Sequence, residues 1–322
     1  MESIDKRVIN VKVSILIPIY NVEKFFSRCL ESLFSQTYPN IEYVFVNDCT
    51  PDKSMMILSD ILQKYPSRAT MVNIINNTEN QGIAIVRNTL LENATVDYIL
   101  FVDSDDWIEK DMVENLVDRA TSTDADIVGC DYYEDYSDHI VICKQHYPSD
   151  HIEAMKAMTL LNIKGVLWKL LIRREIIIKN ELSFIPDIHF GEDYIFCCKL
   201  FYFAKSISAV EKALYHYVQY NPNNYSSTDS DKRIQSFANA IRMVETFYQK
   251  EGLFDVLESE ILQRKFLCKS SYVLDKAHRN IWKWAALFPE SNGAWHNINY
   301  SIPNKMKFLL LEIFVKLFCH KF

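Results

Sequence analysis

The stretch Tyr98-Ile-Leu-Phe-Val-Asp-Ser-Asp-Asp-Trp107 decides how the rest of the chain is read. Four apolar residues, Ile99, Leu100, Phe101 and Val102, run without a break into Asp103, Asp105 and Asp106. An apolar run with no helical spacing predicts a strand covered on both faces, as in a parallel sheet. Such sheets bind ligands just beyond the carboxyl ends of their strands. Asp103 and Asp105 therefore stand where a ligand is expected. They alternate along the chain, so both side chains can reach one small hard cation. Carboxylate oxygens suit Mg²⁺ or Mn²⁺, which keep open positions for substrate phosphates. An acidic turn capping the next helix is the competing reading, because Asp is favoured there too.

Upstream, Val11 to Ile19 is a second buried-strand candidate, rich in β-branched residues and interrupted by Pro18. Asn21 reads as a helix N-cap, ahead of an apolar stripe from Val22 to Phe34. Ile41 to Val46 is the next strand and ends in Asn47-Asp48; Thr50-Pro51-Asp52 then turns the chain into a helix. Met71 to Ile75 is a third strand, and Gly82 to Asn93 a helix leading into the stretch quoted above. The order β-α-β-α-β-α-β predicts an open α/β sheet with right-handed crossovers. Downstream, helices are expected over 110–120, 151–162 and from Gly191 to Phe203, with Asp126 to Cys130 extended. The acidic, Tyr-rich segment Asp131 to Asp138 reads as a surface loop, and Gly165 to Asn180 has no clear pattern. Tyr220-Asn-Pro-Asn-Asn224 is a turn cluster, and from Lys232 the pattern is helical to the end.

The chain has 322 residues, enough for a sizeable core, with 49% hydrophobic and 24% charged residues, an ordinary globular balance. A formal charge of −7 argues against nucleic acid as partner. Between Ile261 and Phe322, however, ten Lys or Arg face three Asp or Glu, so that segment is +7 and the remainder −14. None of the eight cysteines forms a CxxC pair or a zinc spacing, which implies reduced thiols in a cytoplasmic protein. The polar start Met1-Glu-Ser-Ile-Asp5 does not read as a secretory signal. The six glycines make neither GxGxxG nor a P-loop, so any bound phosphate must be held by side chains and a metal.

Five short motifs in order resemble the inverting family 2 glycosyltransferases, over roughly Val11 to Ser227. They are Ser14-Ile-Leu-Ile-Pro-Ile-Tyr-Asn21, Val46-Asn-Asp-Cys-Thr-Pro-Asp-Lys-Ser54, Asn80-Gln-Gly82 leading to Arg87-Asn88, Phe101-Val-Asp-Ser-Asp-Asp106 and Gly191-Glu-Asp193. The resemblance implies an α/β fold of the GT-A type, with an open, mixed, mainly parallel sheet and a C-terminal helical extension. It implies a catalytic domain over 1–227, divided into a nucleotide-binding half (11–106) and an acceptor half (107–227). The helical basic region would follow over 228–322.

By that resemblance Pro18, Tyr20 and Glu23 line the nucleobase and ribose, and Asp48 accepts a hydrogen bond from the base. Asp103 contacts the ribose side and Asp105 holds Mn²⁺ or Mg²⁺ on the diphosphate. Asp106 assists either, and Arg87 lies near the diphosphate or pairs with an aspartate. Asp193, with Glu192 second, is the expected general base, although Glu-Asp at a helix start also serves as a cap. Asn47 and Cys49 replace the aspartate and glycine usual in the second motif, so that loop should differ locally.

The implied activity is metal-dependent transfer from a UDP-sugar to a hydroxyl of a glycan or lipid-linked saccharide. Two rivals stand beside it. A nucleotidyltransferase needs a Gly-rich basic loop after the first strand, which Ile19-Tyr-Asn-Val-Glu23 lacks. A non-catalytic nucleotide-sugar-binding protein has no need of a base at Glu192-Asp193. Lys169 beside Trp168 reads equally as a phosphate or acceptor contact and as a surface lysine. His216 reads as a core histidine between aromatics rather than a metal ligand. The Tyr132, Tyr133 and Tyr136 group could stack on an acceptor. Met306 to Cys319 is too short to span a bilayer, and with its basic surroundings it reads as an interfacial anchor on the inner face of the cell membrane. Packing against the catalytic domain is its alternative.

Overall fold

The structure, a computed structural model, describes residues 11–186, 188, 190–221, 230–275 and 279–318. Nine strands occur among them: β1 (Val13–Ile19), β2 (Ile41–Asn47), β3 (Val72–Asn76), β4 (Tyr98–Phe101), β5 (Trp107–Ile108), β6 (Ile127–Asp135), β7 (Ile140–Cys143), β8 (Leu170–Arg173) and β9 (Ile207–Val218). The helices are α1 (Phe26–Phe34), α2 (Ser54–Lys64), α3 (Pro66–Ala69), α4 (Ile83–Asn93), α5 (Met112–Thr123) and α6 (His151–Thr159). They continue as α7 (Arg174–Lys179), α8 (Glu192–Phe203), α9 (Ser230–Lys250), α10 (Phe254–Leu274), α11 (Ile281–Ala286) and α12 (Ile302–Phe318).

One mixed sheet runs β3-β2-β1-β4-β8-β6-β9-β5, with β7 paired to β6. The first four strands pair in parallel. After β3 the chain returns to the far side of β1 to lay down β4, which makes the gap between β1 and β4 a topological switch point, the place where open α/β sheets take ligands. Strand pleating sends alternate residues to opposite faces. Leu16, Ile99 and Phe101 pack under α4, α6, α8 and the later helices, whereas Ile15, Ile17 and Leu100 pack under α1, α2 and α5. Both faces are covered, which is why β4 is apolar throughout.

Four local expectations change. The first helix begins at Phe26, and Asn21 is not its cap but sits in the left-handed region (φ 55) at a tight turn. The segment Asp131 to Asp138 is not a loop, because β6 continues to Asp135 and its acids have partners. Asp131 accepts from the Gln145 amide at 2.6 Å and Asp135 from the Trp107 indole at 2.9 Å. Gly165 to Asn180 resolves into β8 and α7. In the second motif Cys49 itself takes the left-handed conformation (φ 54) that glycine adopts at little cost. The loop therefore keeps a glycine-like path, at about 1–2 kcal/mol of backbone strain.

The helices beyond residue 230 belong to the same packed core. Phe237, Ala240, Ile241 and Tyr248 of α9 and Phe266 of α10 join the cluster that contains Phe184, Tyr194 and Phe196. At Gly191 (φ 101) a Cβ would lie 2.8 Å from the Ala240 Cβ and 2.9 Å from Phe237 Cδ2. Only glycine satisfies both the backbone angle and that approach. Ser236 Oγ accepts from the Phe190 amide (3.0 Å) and donates to the Phe190 carbonyl (3.1 Å). The C-terminal helices thus set where Glu192 and Asp193 emerge.

Candidate active site

Asp103, Asp105 and Asp106 leave the end of β4 beside Pro18 and Tyr20 at the end of β1, and the structure separates the three acids. Asp106 is buried, and its two oxygens accept from the Tyr215 hydroxyl (2.7 Å) and the Val218 amide (2.8 Å). The same Tyr215 hydroxyl accepts from the Asp103 amide at 3.1 Å. Asp106 therefore anchors the acidic turn to β9, and geometry turns it away from a metal role. Burial, then Asp105 and Asp103, push its carboxyl well up.

Asp103 and Asp105 face the cleft. Asp105 accepts from the Asn221 side-chain Nδ2 at 2.8 Å, and burial followed by the neighbouring Asp103 pushes its pKa up to about 6. Crowded carboxylates short of positive charge suit a hard divalent ion. Among the described residues no group of three or more ligating side chains occurs. Asp103 and Asp105 could supply one or two oxygen ligands to a Mg²⁺ or Mn²⁺ ion that takes the rest from substrate phosphates.

Arg87, on the second turn of α4, is the centre of charge. It is buried, and its Nη1 reaches Glu192 Oε1 at 3.0 Å and also pairs with Asp193, while Nη2 lies 3.5 Å from Asp103 Oδ1. One guanidinium thus joins the strand-end acid to the helix-start acids, Arg87 itself lying 105 positions before Glu192. Asp193 sits in the first turn of α8. Burial pushes its carboxyl up, to about 8, with Glu192 and Asp103 adding to the rise and Arg87 opposing it. Three carboxylates share a single cation, and the site is under-neutralised.

Three cavities adjoin along this line of residues. The first, about 500 Å³, lies between Pro18, Tyr20, Asp48, Gly82 and Ile188. The second, about 360 Å³, is bounded by Tyr20, Arg87, Asp103, Asp105, Glu192 and Asn221. The third, about 310 Å³, is bounded by Asp105, Glu192, Asp193, Lys164, Trp168 and Tyr217. The first and second share Pro18, Tyr20 and Ile83, and the second and third share Asp103, Asp105 and Glu192. The three adjoin along these shared walls, with the acids at the middle.

Other expected residues fall as follows. Pro18 and Tyr20 line the first two cavities, and Tyr20 is 47% exposed, a ring face free to be covered. Asp48 borders the first cavity but also holds the 77–82 loop, accepting from Asn77 (2.8 Å), the Gln81 amide (2.9 Å) and the Gly82 amide (3.0 Å). Glu23 borders none of the three; its carboxylate accepts from the Lys53 amide at 3.1 Å and braces the loop after β2. Lys169 is neither a surface lysine nor a cleft residue. It is fully buried, donates to the Tyr147 hydroxyl at 2.7 Å, and burial pushes its pKa down to about 7. His216 is a core histidine, stacked between Trp107 (3.3 Å) and Tyr133 (4.2 Å) with Nε2 3.0 Å from Glu109. Tyr132 and Tyr133 are likewise spent on β6 packing rather than left open for stacking. Lys164, Asn221 and Tyr215 had drawn no notice in the sequence. Asn221 lies in a turn cluster and nothing local ties it to Asp105.

Comparison with known proteins agrees with this architecture. The glycosyl transferase family 2 pattern matches residues 14–178. Two Bacillus subtilis (strain 168) proteins named as glycosyltransferases are similar: EpsH, 36% identical over 214 residues (64% of this chain), and EpsJ, 34% over 224 residues (66% of this chain). The chain spans about 60% of the length of each, 60% and 62% respectively. Among solved structures, Staphylococcus aureus TarS 1–349 in complex with UDP-GlcNAc superposes with a TM-score of 0.70 at 20% identity, over 88% of this chain and 81% of that one. The mannosyltransferase PcManGT from Pyrobaculum calidifontis, in complex with GDP-Man and Mn²⁺, gives 0.55 at 16% identity, over 97% and 81%. With the family pattern covering half the chain and the fold shared over 88% of it, this protein belongs to glycosyl transferase family 2 and has the GT-A architecture.

Proposed function

We propose that the chain is a metal-dependent, inverting glycosyltransferase that moves a sugar from a UDP-sugar to a hydroxyl of a glycan or lipid-linked saccharide. The observation that carries this reading is the row of adjoining cavities, with Asp103, Asp105 and Glu192 common to two of them. The nucleobase would lie in the outer cavity against Tyr20, and the acceptor would enter past Trp168 and Tyr217. Mg²⁺ or Mn²⁺, when held by Asp105 and Asp103, supplies Lewis-acid neutralisation of the charge that grows on the departing diphosphate. Asp193, unprotonated, takes the proton of the acceptor hydroxyl as that oxygen attacks the anomeric carbon from the face opposite the diphosphate. Arg87 holds Asp193 and Asp103 in register. Glycosyl transfer from UDP is supported by TarS, whose structure holds UDP-GlcNAc, and a divalent ion by PcManGT, whose structure holds Mn²⁺.

Purified protein is expected to release UDP from at least one member of a UDP-sugar panel, to lose that activity in EDTA and to regain it with Mn²⁺. Product from an α-linked donor should be β-linked by NMR. Retention of configuration sinks the inverting assignment, and full turnover in EDTA sinks the metal.

A second reading concerns α12, and the observation that favours it is a one-sided row of exposed apolar side chains. Ile302, Met306, Leu310 and Ile313 recur at helical spacing, with Ile302 79% and Leu310 62% exposed. The opposite side packs inward through Phe308, 4.8 Å from Phe266, while Glu312 accepts from the Trp295 indole at 3.1 Å. Lys316 and His320, which complete the polar stripe read from the sequence, lie outside the described side chains. No helix among the described residues is long and apolar enough to cross a membrane. We propose that this row, in a segment of net charge +7, lies on the anionic inner face of the cell membrane. Full-length protein should float with phosphatidylglycerol vesicles and less with phosphatidylcholine, and Ile302→Ser with Leu310→Ser should abolish flotation. Unchanged flotation of that variant refutes the contact.

A further inference from the structure

We infer that Lys164 makes the acceptor end of the cleft selective for an acceptor carrying a fixed negative charge, a carboxylate or a phosphate, close to the hydroxyl that is extended. The inference rests on the transferase reading above and adds the acceptor's chemical class. Asp103, Asp105, Glu192 and Asp193 all line the third cavity, and Lys164 is the one cation lining it among the described residues. Arg87, the other nearby cation, is consumed by Asp103, Glu192 and Asp193.

Lys164 is held in place rather than free to swing. Its amide donates to Gln145 Oε1 at 2.8 Å, and its carbonyl accepts from the Val166 amide at 2.9 Å. The chain can pass there because the next residue is glycine; a Cβ at Gly165 would lie 2.7 Å from Leu161 Cδ2 and 3.5 Å from Tyr194 Cδ2. The ammonium lies over Tyr217 (4.3 Å), Tyr132 (4.7 Å) and Trp168 (5.6 Å). These ring faces favour the charge but offer it no lone pair. Among the described residues its nearby carboxylate is Glu134 Oε1 at 3.7 Å, beyond hydrogen-bond reach.

A half-buried ammonium with aromatic walls and one long ion pair to Glu134 is weakly neutralised, and burial pulls its pKa down while Glu134 opposes the fall. An anion delivered by the acceptor adds a closer partner than Glu134. A neutral hydroxyl adds much less, since hydrogen bonds with an ionised partner are roughly twice as strong as neutral ones. Discrimination follows from the same group, because a neutral acceptor leaves the ammonium with only its long pair to Glu134. Tyr217 beside it, which is only partly buried, supplies apolar surface for a sugar ring.

Matched acceptors separate the cases: octyl glucoside and galactoside, their uronic acid counterparts, and their 6-phosphates. With the donor found in the UDP-release assay, Lys164→Gln should lower kcat/KM for the anionic acceptors about 10–100-fold, mainly through KM. The neutral acceptors should change by less than about threefold on the same scale, and Lys164→Arg should restore much of the anionic activity. The uronic acid and phosphate arms show which anion is preferred. Equal loss on neutral and anionic acceptors, no loss, or weakened UDP affinity by calorimetry overturns the assignment to the acceptor. Wild-type protein that binds UDP yet transfers to no member of the set refutes the transferase reading, and the inference falls with it.

Discussion

Replacing Asp193 with Asn is expected to lower kcat about 10²–10⁴-fold, the usual worth of a positioned general base, while UDP affinity stays near that of the wild type. The amide keeps the shape of the carboxylate, and its oxygen can still accept from Arg87, so the fold at the start of α8 should survive. What it loses is the ability to take a proton. The same residue shapes the pH dependence of the wild-type enzyme. Burial holds the Asp193 carboxyl up at about 8, and the base must be unprotonated to act. Activity of the wild type should therefore rise with pH through the neutral range, on an acid limb lying above the ordinary carboxylate region. Asp105, held at about 6 by burial and Asp103, adds to the same limb because it must be ionised to hold a cation. Steady-state rates between pH 5.5 and 9, with a stopped assay for UDP, measure this directly. An Asp193→Asn enzyme with undiminished turnover removes Asp193 from the mechanism.

The second large effect is on stability. Arg87→Met should cost about 3–5 kcal/mol, the typical penalty for removing one partner of a buried charge cluster. Methionine fills similar volume against Phe184, over whose ring the guanidinium now sits at 5.5 Å. The loss would therefore come mainly from Asp103, Glu192 and Asp193 being left without a countercharge. That has a pH signature whose sign can be worked out. Without Arg87, which opposes the rise, the Asp193 carboxyl is pushed up further, and a carboxyl raised above its unfolded value stabilises the fold only while protonated. The deficit should be large at pH 8 and smaller at pH 5.5. Adding Glu192→Gln to Arg87→Met should recover part of it by removing one of the three charges. Urea unfolding at the two pH values tests both points. A single variant as stable as wild type at pH 8 would show that the cluster is solvated rather than buried.

The two experiments also probe one physical arrangement from opposite sides. Arg87 lowers the cost of gathering acids at the carboxyl end of the sheet, yet it leaves the cluster short of positive charge. A site left net negative is unstable alone and gains from a divalent ion, so stability and ligand affinity oppose each other there. The helices after residue 230 take part as well. Through Gly191 and Ser236 they fix the first turn of α8, so an acid named by a short motif is aimed by helices that follow it in the chain.

The parts of this protein legible in one dimension are those set by near neighbours. Buried strands must be apolar on both faces, so β1, β2 and β4 stand out, and their order with the intervening helices implies the open sheet. Because such sheets bind at their strand ends, Asp103 and Asp105 could be placed at a ligand site from the chain alone. Short motifs in a fixed order then named the family. The tertiary structure decided which of several chemically identical groups are available. Asp105 and Asp106 are adjacent and alike, yet Tyr215 and Val218 of β9 occupy Asp106 while Asp105 stays toward the cleft. Lys164 and Lys169 are both lysines beside Trp168, and packing alone sends one into the core and one to the cavity. Such outcomes depend on contacts between residues distant in sequence, from 22 positions for Lys169 and Tyr147 to 116 for Asn221 and Asp105. Local patterning carries no record of those meetings, because strand register and helix packing determine them only once the whole chain has folded.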